Sequence, residues 1–373
     1  MKAGLLGRQR DSLLSKTNPE EAAMQLYVGG DLSRKRIDWQ ALAPDGVALA
    51  AGAAAPDRDG LAHFARKLRR LGDPLVVIES MTGARFVHDE LERQGLDVRI
   101  ADARKAKLAG ELLGQLGTKT DRLDAQVLAE LGRRGWVPEI WLADPQTRGA
   151  RERSRFRLHL VRHRTALKNR IHQTLITHGI PSRESDLFGR GGRLRLERLE
   201  LPEPWLTSVR LTLALIDHLD EQIAAQERSL RAAGREHPYL PLLVSAPGIG
   251  PVLGYAIASE IGDIGRFASW RKLVGYTGLC PRVEQSGESD RRGPLKKNGP
   301  KWLRWALVEA ASHAGAQPAY RPLYESTKTR LGKQRGPRVA QITVARKLAE
   351  AIWYMLTRTE PFAPAGATLG LAP

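Results

Sequence analysis

Cysteine is nearly missing from this 373-residue chain. Its single copy, Cys280, excludes a disulfide-stapled scaffold and a multi-cysteine zinc site. Nine histidines are scattered through it, with no HExxH or similar pair. No apolar run approaches the ~20 residues that a membrane-spanning helix needs. The opening stretch, MKAGLLGRQRDSLLSKTNPEEAA, has no apolar segment leading to a small-residue cleavage site, so it does not read as a secretory signal. Acids are scarce too: 41 Asp plus Glu stand against 59 Lys plus Arg, a net charge of +18. A surplus of that size sets up a positive field, and its usual partner is a polyanion such as nucleic acid. The expectation is a cytoplasmic, nucleoid-associated protein.

What is present is an ordered series of elements. "MQLYVGGDLS", "KRIDWQALAP" and "GVALAAGAAA" read as three strands, separated by the turn signals Ser33-Arg34-Lys35 and Pro44-Asp45-Gly46. Leu61, Phe64, Ala65, Leu68 and Leu71 then recur at helical spacing. "PLVVIES" reads as a buried strand, "ARFVHDELERQG" as a helix, "LDVRIAD" as a strand, and residues from Ala103 to about Gly135 as helical with a break near Gly117. This order predicts a mixed sheet of α/β class, an antiparallel meander joined to parallel βαβ units, as in RNase H-like or RuvC-like nucleases. Farther on, Val209, Ile216, Ile223 and Leu230 recur every seven residues, which suits a coiled coil with the preceding basic helix or with another subunit. The rest reads as all-α. The expected divisions are an extension (1–24), a RuvC-like domain (25–144), a basic helical region (145–236), a C-terminal helical domain (237–358) and a loose tail (359–373).

Four acids carry the chemical reading. Asp31 ends the first strand after Gly29 and Gly30, and Glu79 ends "PLVVIE". Asp121 and Asp124, in "KTDRLDAQVLAEL", are three apart and so share a helix face. Clustered carboxylates repel one another, and Mg²⁺ or Mn²⁺, which prefer oxygen ligands, offset that repulsion. Such ions can hold a scissile phosphate. Taken singly, an acid at a helix start is more often a cap or a dipole partner. Asp38 and Asp102 remain open as alternative members of the cluster.

"YVGGDLSRKRID", "VVIESMTG" and "KTDRLDAQVLA" resemble the DEDD-type bacterial insertion-sequence transposases, also called bridge-RNA-guided recombinases. "SAPGIGPVLGYAIASEIGDIGRFASWRKLVGYTGLCPRVEQSG" and "GPLKKNGPKWLRWALVEAA" resemble their transposase domain, so the likeness spans residues 25–357. It implies a metal site on Asp31, Glu79, Asp121 and Asp124, donor and target DNA, a structured guide RNA, and a homodimer or homotetramer. It also implies a composite site across subunits in which Ser286 attacks a DNA phosphate. Read by itself, Ser286 sits in a polar glycine-containing loop, where serine is more often a turn residue. Ser289 is its nearest competitor. "ESMTG" carries one residue more than the family's Glu-x-Thr-Gly, Lys296 stands where that family has a serine or threonine, and Gly30 where it has an apolar residue.

Several elements read as nucleic-acid-binding. An arginine-rich helix carries Arg148, Arg151, Arg155, Arg162 and Lys168 with one acid, Glu152, among its basic residues. "PGIGPVLGYAI" can be a helix-hairpin-helix in which Gly248 and Gly250 let the backbone meet a phosphate. "DRRGPLKKNG" adds Arg291, Arg292, Lys296 and Lys297. Trp302 and Trp305, three apart on the next helix, are expected in the core. The resulting function is a site-specific DNA recombinase. The rivals are a metal-dependent nuclease of the Holliday-junction resolvase type, with Ser286 structural, and a non-catalytic nucleic-acid-binding protein.

Overall fold

The computed structural model describes residues 24–112, 121–181, 184–287 and 289–364. The expected extension, apart from Met24, and the tail from 365 lie outside the described residues, as do Lys119 and Thr120. The chain divides into two compact units, 1–142 and 143–373.

The first unit is built on a five-stranded sheet in the order β3-β2-β1-β4-β5. Its strands are β1 (Gln25–Leu32), β2 (Ile37–Leu42), β3 (Ala48–Ala54), β4 (Asp73–Glu79) and β5 (Asp97–Ala101). β1 pairs antiparallel with β2 and parallel with β4, so it lies where the meander meets the parallel half. Four helices follow the strands: α1 (Arg58–Arg69), α2 (Ala84–Arg93), α3 (Ala103–Leu112) and α4 (Asp121–Arg133).

Side chains alternate across a strand, so each face of the sheet has its own core. On one face Leu26, Val28, Leu32, Ile37, Val76, Ile78, Val98 and Ile100 pack with Leu61, Phe64 and Leu68 of α1 and Val87 and Leu91 of α2. On the other, Leu75, Val77 and Ala101 meet Ala106 of α3 and Val127, Leu128 and Leu131 of α4. Gly30 belongs to the first face. A Cβ there would come within 3.2 Å of both Ile37 and Ile78, so those isoleucines occupy the room that a side chain at 30 would take.

The second unit is helical apart from one hairpin. It contains α5 (Pro145–Thr177), α6 (Arg190–Glu197), α7 (Trp205–Arg235), α8 (Leu240–Ser245), α9 (Pro251–Ile261), α10 (Trp270–Thr277), β6 (Pro281–Ser286), β7 (Ser289–Leu295), α11 (Lys301–Ala314) and α12 (Arg321–Arg358). α12 is two helices joined at Gly332, whose φ of 73° and ψ of 176° break the helical backbone. The seven-residue series of α7 is buried, from Val209 through Ile216 and Ile223 to Leu230. Its partner is α5 of the same chain. The two lie antiparallel, as the ion pairs Arg157–Glu227 and Arg164–Asp220 require. The unit's main core joins α8 to α12 through Leu243, Ile257, Leu273, Leu303, Leu307, Val344, Leu348 and Ile352.

Candidate active site and nucleic-acid interface

Asp31 and Glu79 stand at the carboxyl ends of adjacent parallel strands. Gly29 pairs with Val77 and Gly30 with Ile78, so Asp31 and Glu79 are the next residues in register. By alternation both belong to the face covered by α4. The helix sits there at close range: a Cβ on Gly29 would meet the Ala125 carbonyl at 1.9 Å and the Ala129 nitrogen at 2.4 Å. Farther along, a Cβ on Gly132 would meet Val77 at 3.1 Å and Leu75 and Tyr27 at 3.8 Å. α4 therefore runs antiparallel to β1 and β4, and its first turn points toward the strand ends that carry Asp31 and Glu79. Asp121 is the first residue of that helix, and Asp124 lies beside the contact with Gly29. Asp31, Glu79 and Asp124 are all half-buried.

The far end of α4 is anchored. Glu130 accepts hydrogen bonds from Arg133 at 2.7 and 2.8 Å and from Arg134 at 2.5 Å, and Arg133 also donates to the Pro44 carbonyl at 3.1 Å. The Arg133 hydrogen bond, assisted by Arg134, holds the Glu130 carboxyl down to about 2. This ties the helix to the turn between β2 and β3.

The alternative acids separate by role. Asp102 accepts from the backbone N–H groups of Arg104 and Lys105, both at 3.1 Å, so it caps α3. Asp38 faces Asp31 directly across the antiparallel ladder. Its carboxylate is held by Arg36 at 2.8 and 2.5 Å. Among the described residues, the one trio of His, Asp and Glu ligand atoms lying within 4.8 Å of one another is His88, Asp89 and Glu92. It lies on α2, which packs on the opposite face of the sheet from α4. Asp31 and Glu79 stand at the strand ends toward which α4 begins, and with Asp124 they do not form such a trio.

Ser286 is not in an irregular loop. It ends β6 and pairs with Ser289 of β7 across a turn where Gly287 takes a φ of 56°, so the two residues face each other at a hairpin tip. Both are exposed, as are Arg282, Val283, Glu284, Gln285 and Arg291. A strand pair that is polar on both faces has no alternation to betray it, which is why it reads as loop. Arg291 and Arg292 lie on β7, where they pair with Glu284 and Val283.

Two comparisons with known proteins bear on most of the chain. The Transposase IS116/IS110/IS902 family matches residues 240–325, and the DEDD transposase domain of IS110 type matches residues 28–179. This chain belongs to the DEDD-type insertion-sequence transposases. Among its relatives, the "Probable family 20 transposase" of Pseudomonas aeruginosa is 27% identical over 79% of this chain and 88% of that protein. The transposase for insertion sequence element IS1111A of Coxiella burnetii is 26% identical over 77% of this chain and 79% of its own length. That for IS1328 of Yersinia enterocolitica is 28% identical over 77% and 85%. The chain is a DNA transposase, an enzyme of DNA recombination. No helix among the described residues of the transposase is long and apolar enough to cross a membrane.

The arginine-rich helix of the transposase, α5, is a divided surface rather than a uniform stripe. Arg151 donates to the carbonyls of Ser259 and Glu260 at the end of α9, both at 2.8 Å. Arg155 grips the Glu260 carboxylate at 2.7 and 2.9 Å, with Glu260 only 1% exposed. Arg157 and Arg164 are paired to α7. These four arginines are engaged inside the unit, Arg151 and Arg155 of the expected nucleic-acid contacts among them. Arg148 is half-buried, and Arg153, Arg162 and Arg170 are exposed. Arg162 lies 4.6 Å from the ring centre of Trp302, and Lys168 lies 4.7 Å from that of Phe188.

The two glycines of the α8–α9 turn also differ. Gly248 has a φ of 81°, and a Cβ there would meet the Ala310 carbonyl at 2.2 Å, so packing on α11 requires glycine. Gly250 has a φ of −89° and a ψ of 174°, and nothing lies within 4 Å of a Cβ built on it. Lys296 and Lys297 lie after β7, with their backbone N–H groups bound to the Cys280 and Gly278 carbonyls and Lys296 exposed. Trp302 and Trp305 are half-buried; Trp305 packs against the unit's main core, as expected, and Trp302 is not part of it.

Proposed function

We propose that this transposase cuts and rejoins DNA at specific sites through a covalent Ser286–DNA link, with a divalent metal held by Asp31, Glu79, Asp121 and Asp124. The observation that carries this reading is the seating of α4 on Gly29, which directs the start of α4 toward the strand ends bearing Asp31 and Glu79. The donor set consists only of carboxylate oxygens, which fits Mg²⁺ or Mn²⁺ rather than a softer ion. When bound there, such an ion supplies charge stabilisation on a phosphate oxygen.

The remaining work falls to the chain. Ser286 Oγ attacks a DNA phosphorus, a Ser–O–P bond forms, and the bond from phosphorus to one deoxyribose oxygen breaks. That deoxyribose oxygen takes up a proton as it leaves, and the serine proton passes to solvent or a carboxylate. Attack by a hydroxyl of another strand reverses the chemistry and releases the serine. The exposed hairpin tip suits this because a phosphate can reach Ser286 without displacing packed side chains. Guidance by a structured RNA, paired with donor and target DNA, and assembly as a homodimer or homotetramer complete the reading.

Incubating the protein with element-end DNA, Mg²⁺ and the transcript of the flanking non-coding DNA, then denaturing it, tests the serine. A protein–DNA adduct is expected with the wild type and with Ser289→Ala, and none with Ser286→Ala. An adduct of wild-type yield in Ser286→Ala would overturn the assignment.

A further inference from the structure

The second unit contains a cavity of about 510 Å³ that no step above uses. That volume falls within the ~300–1,000 Å³ typical of small-ligand sites. Four elements wall it: α5 with Arg157 and Leu158, α7 with Glu227 and Leu230, the turn into α9 with Gly250 and Val252, and α11 with Trp305 and Glu309. Arg231 and His313 also line it, and Glu309 and His313 are exposed, so the cavity opens to solvent.

We infer that this cavity receives one unpaired nucleobase of the bound nucleic acid. The inference rests on the chain being a DNA transposase, and on nothing about Ser286 or the four acids. The lining narrows the ligand. Glu227 is paired with Arg157 and Arg231, and Glu309 adds a carboxylate at the opening, so the wall has no surplus cation to hold a phosphate. A flat, uncharged, partly aromatic group with donors and acceptors on its edge needs none. Trp305 offers a half-buried indole, and the aliphatic walls of Leu158, Leu230 and Val252 suit a ring face.

The polar groups match a base edge. Arg157 binds Glu227 through one terminal nitrogen at 2.5 Å, while its Nε is buried with no hydrogen-bond partner. A buried donor without an acceptor is costly, and a shift of the Arg157 side chain would bring that nitrogen to a base carbonyl or ring nitrogen. Glu309 and His313 can meet exocyclic donors at the opening. The surroundings favour a nucleic-acid strand over a free small molecule. One helical turn before Trp305, Trp302 has Arg162 and Lys301 at 4.6 and 4.8 Å from its ring centre. These cations border the same α5 and α11 faces and would track the backbone of the strand whose base turns inward. Gly250 keeps the entrance clear: its dihedrals are open to any residue and its missing side chain touches nothing, so the fold does not require glycine there.

The experiment uses the full-length protein and single-stranded 20-mers, one of DNA and one of RNA, each carrying a single 5-iodouracil. The expected result is a photo-cross-link mapping to Trp305. It should be lost in Gly250→Leu, whose side chain fills the entrance, with affinity falling about tenfold. Thermal melting checks that Gly250→Leu remains folded. A cross-link with only the DNA or only the RNA identifies which strand delivers the base, and either supports the proposal. Wild-type affinity in Gly250→Leu together with no cross-link at Trp305 overturns the cavity's role alone. Failure of both oligomers and of duplex element DNA to bind wild-type protein overturns the nucleic-acid reading and the cavity with it.

Discussion

The sheet edge with Asp31 and Glu79 and the hairpin with Ser286 place their chemical groups in opposite ways. At the edge, positions are dictated from beneath: α4 rests on Gly29 with no room for a methyl group, and its far end is fixed by Glu130, Arg133 and the Pro44 carbonyl. At the hairpin, Ser286 and its neighbours are exposed, and the serine is carried by strand pairing alone. Packing therefore fixes the backbone that carries Asp31, Glu79 and Asp124, whereas strand pairing alone holds Ser286. Damage to the first region should spread through stability and activity together, and damage to the second should stay with activity.

The largest effect should come from the acids themselves. Asp31→Asn, Glu79→Gln or Asp124→Asn should each lower Mg²⁺-dependent strand cleavage by more than about 100-fold. Retained cleavage in all three would remove the edge from the chemistry and leave the hairpin standing alone. Ser286→Ala, by contrast, should move the unfolding free energy by less than about 0.5 kcal/mol, as exposed substitutions do.

Gly29→Ala sharpens the contrast from the structural side. Its new methyl group would lie 1.9 Å from the Ala125 carbonyl, so α4 has to shift. Overpacking of this kind costs about 1–3 kcal/mol. Denaturant titration should show that loss, and cleavage should drop with it because Asp121 and Asp124 ride on the displaced helix. A variant with normal stability and normal cleavage would mean that the contact does not set the site.

The smallest effect is linked to pH. The Glu130 carboxyl is held down to about 2, below its ordinary value of 4.5, by Arg133 and then Arg134. A depressed carboxylate contributes stability that is fully present above its unfolded value and is lost as pH falls through the folded one. Glu130→Gln should thus be less stable than wild type at pH 7. The gap should narrow below about pH 4.5 and close near pH 2. A gap unchanged by acid would show that packing, not charge, anchors the end of α4.

Much of the first unit was readable from sequence, because each strand announces itself. "PLVVIE" is a short apolar run ending in an acid, and the meander is marked by Pro44-Asp45-Gly46. That Asp31 and Glu79 end neighbouring strands follows from the same strand order. Gly29 was legible only as a glycine shortly before Asp31; that α4 packs on it depends on a contact about 100 residues away in sequence. The second unit hid more. Glu260 lies in the apolar run "PVLGYAIASEI", and nothing nearby in sequence says that it binds Arg155, 105 residues away. An arginine count cannot separate internal partners from free ones. β6 is exposed from Arg282 to Ser286, so it lacks the alternation that reveals a strand. Trp302 and Trp305 share a helical spacing, yet only Trp305 packs against the main core, a difference that spacing does not carry.

The paired helices α5 and α7 also set a length. The 31 residues of α7 rise about 46 Å at ~1.5 Å per residue. At ~3.4 Å per base pair, that is the run of about 14 base pairs of duplex. Because α5 is bound alongside through Arg157–Glu227 and Arg164–Asp220, the pair is a strut rather than a flexible linker. A rod of fixed length fixes a spacing, so inserting one heptad into both helices should alter the spacing of any contacts made at its two ends by about 10 Å, or roughly three base pairs.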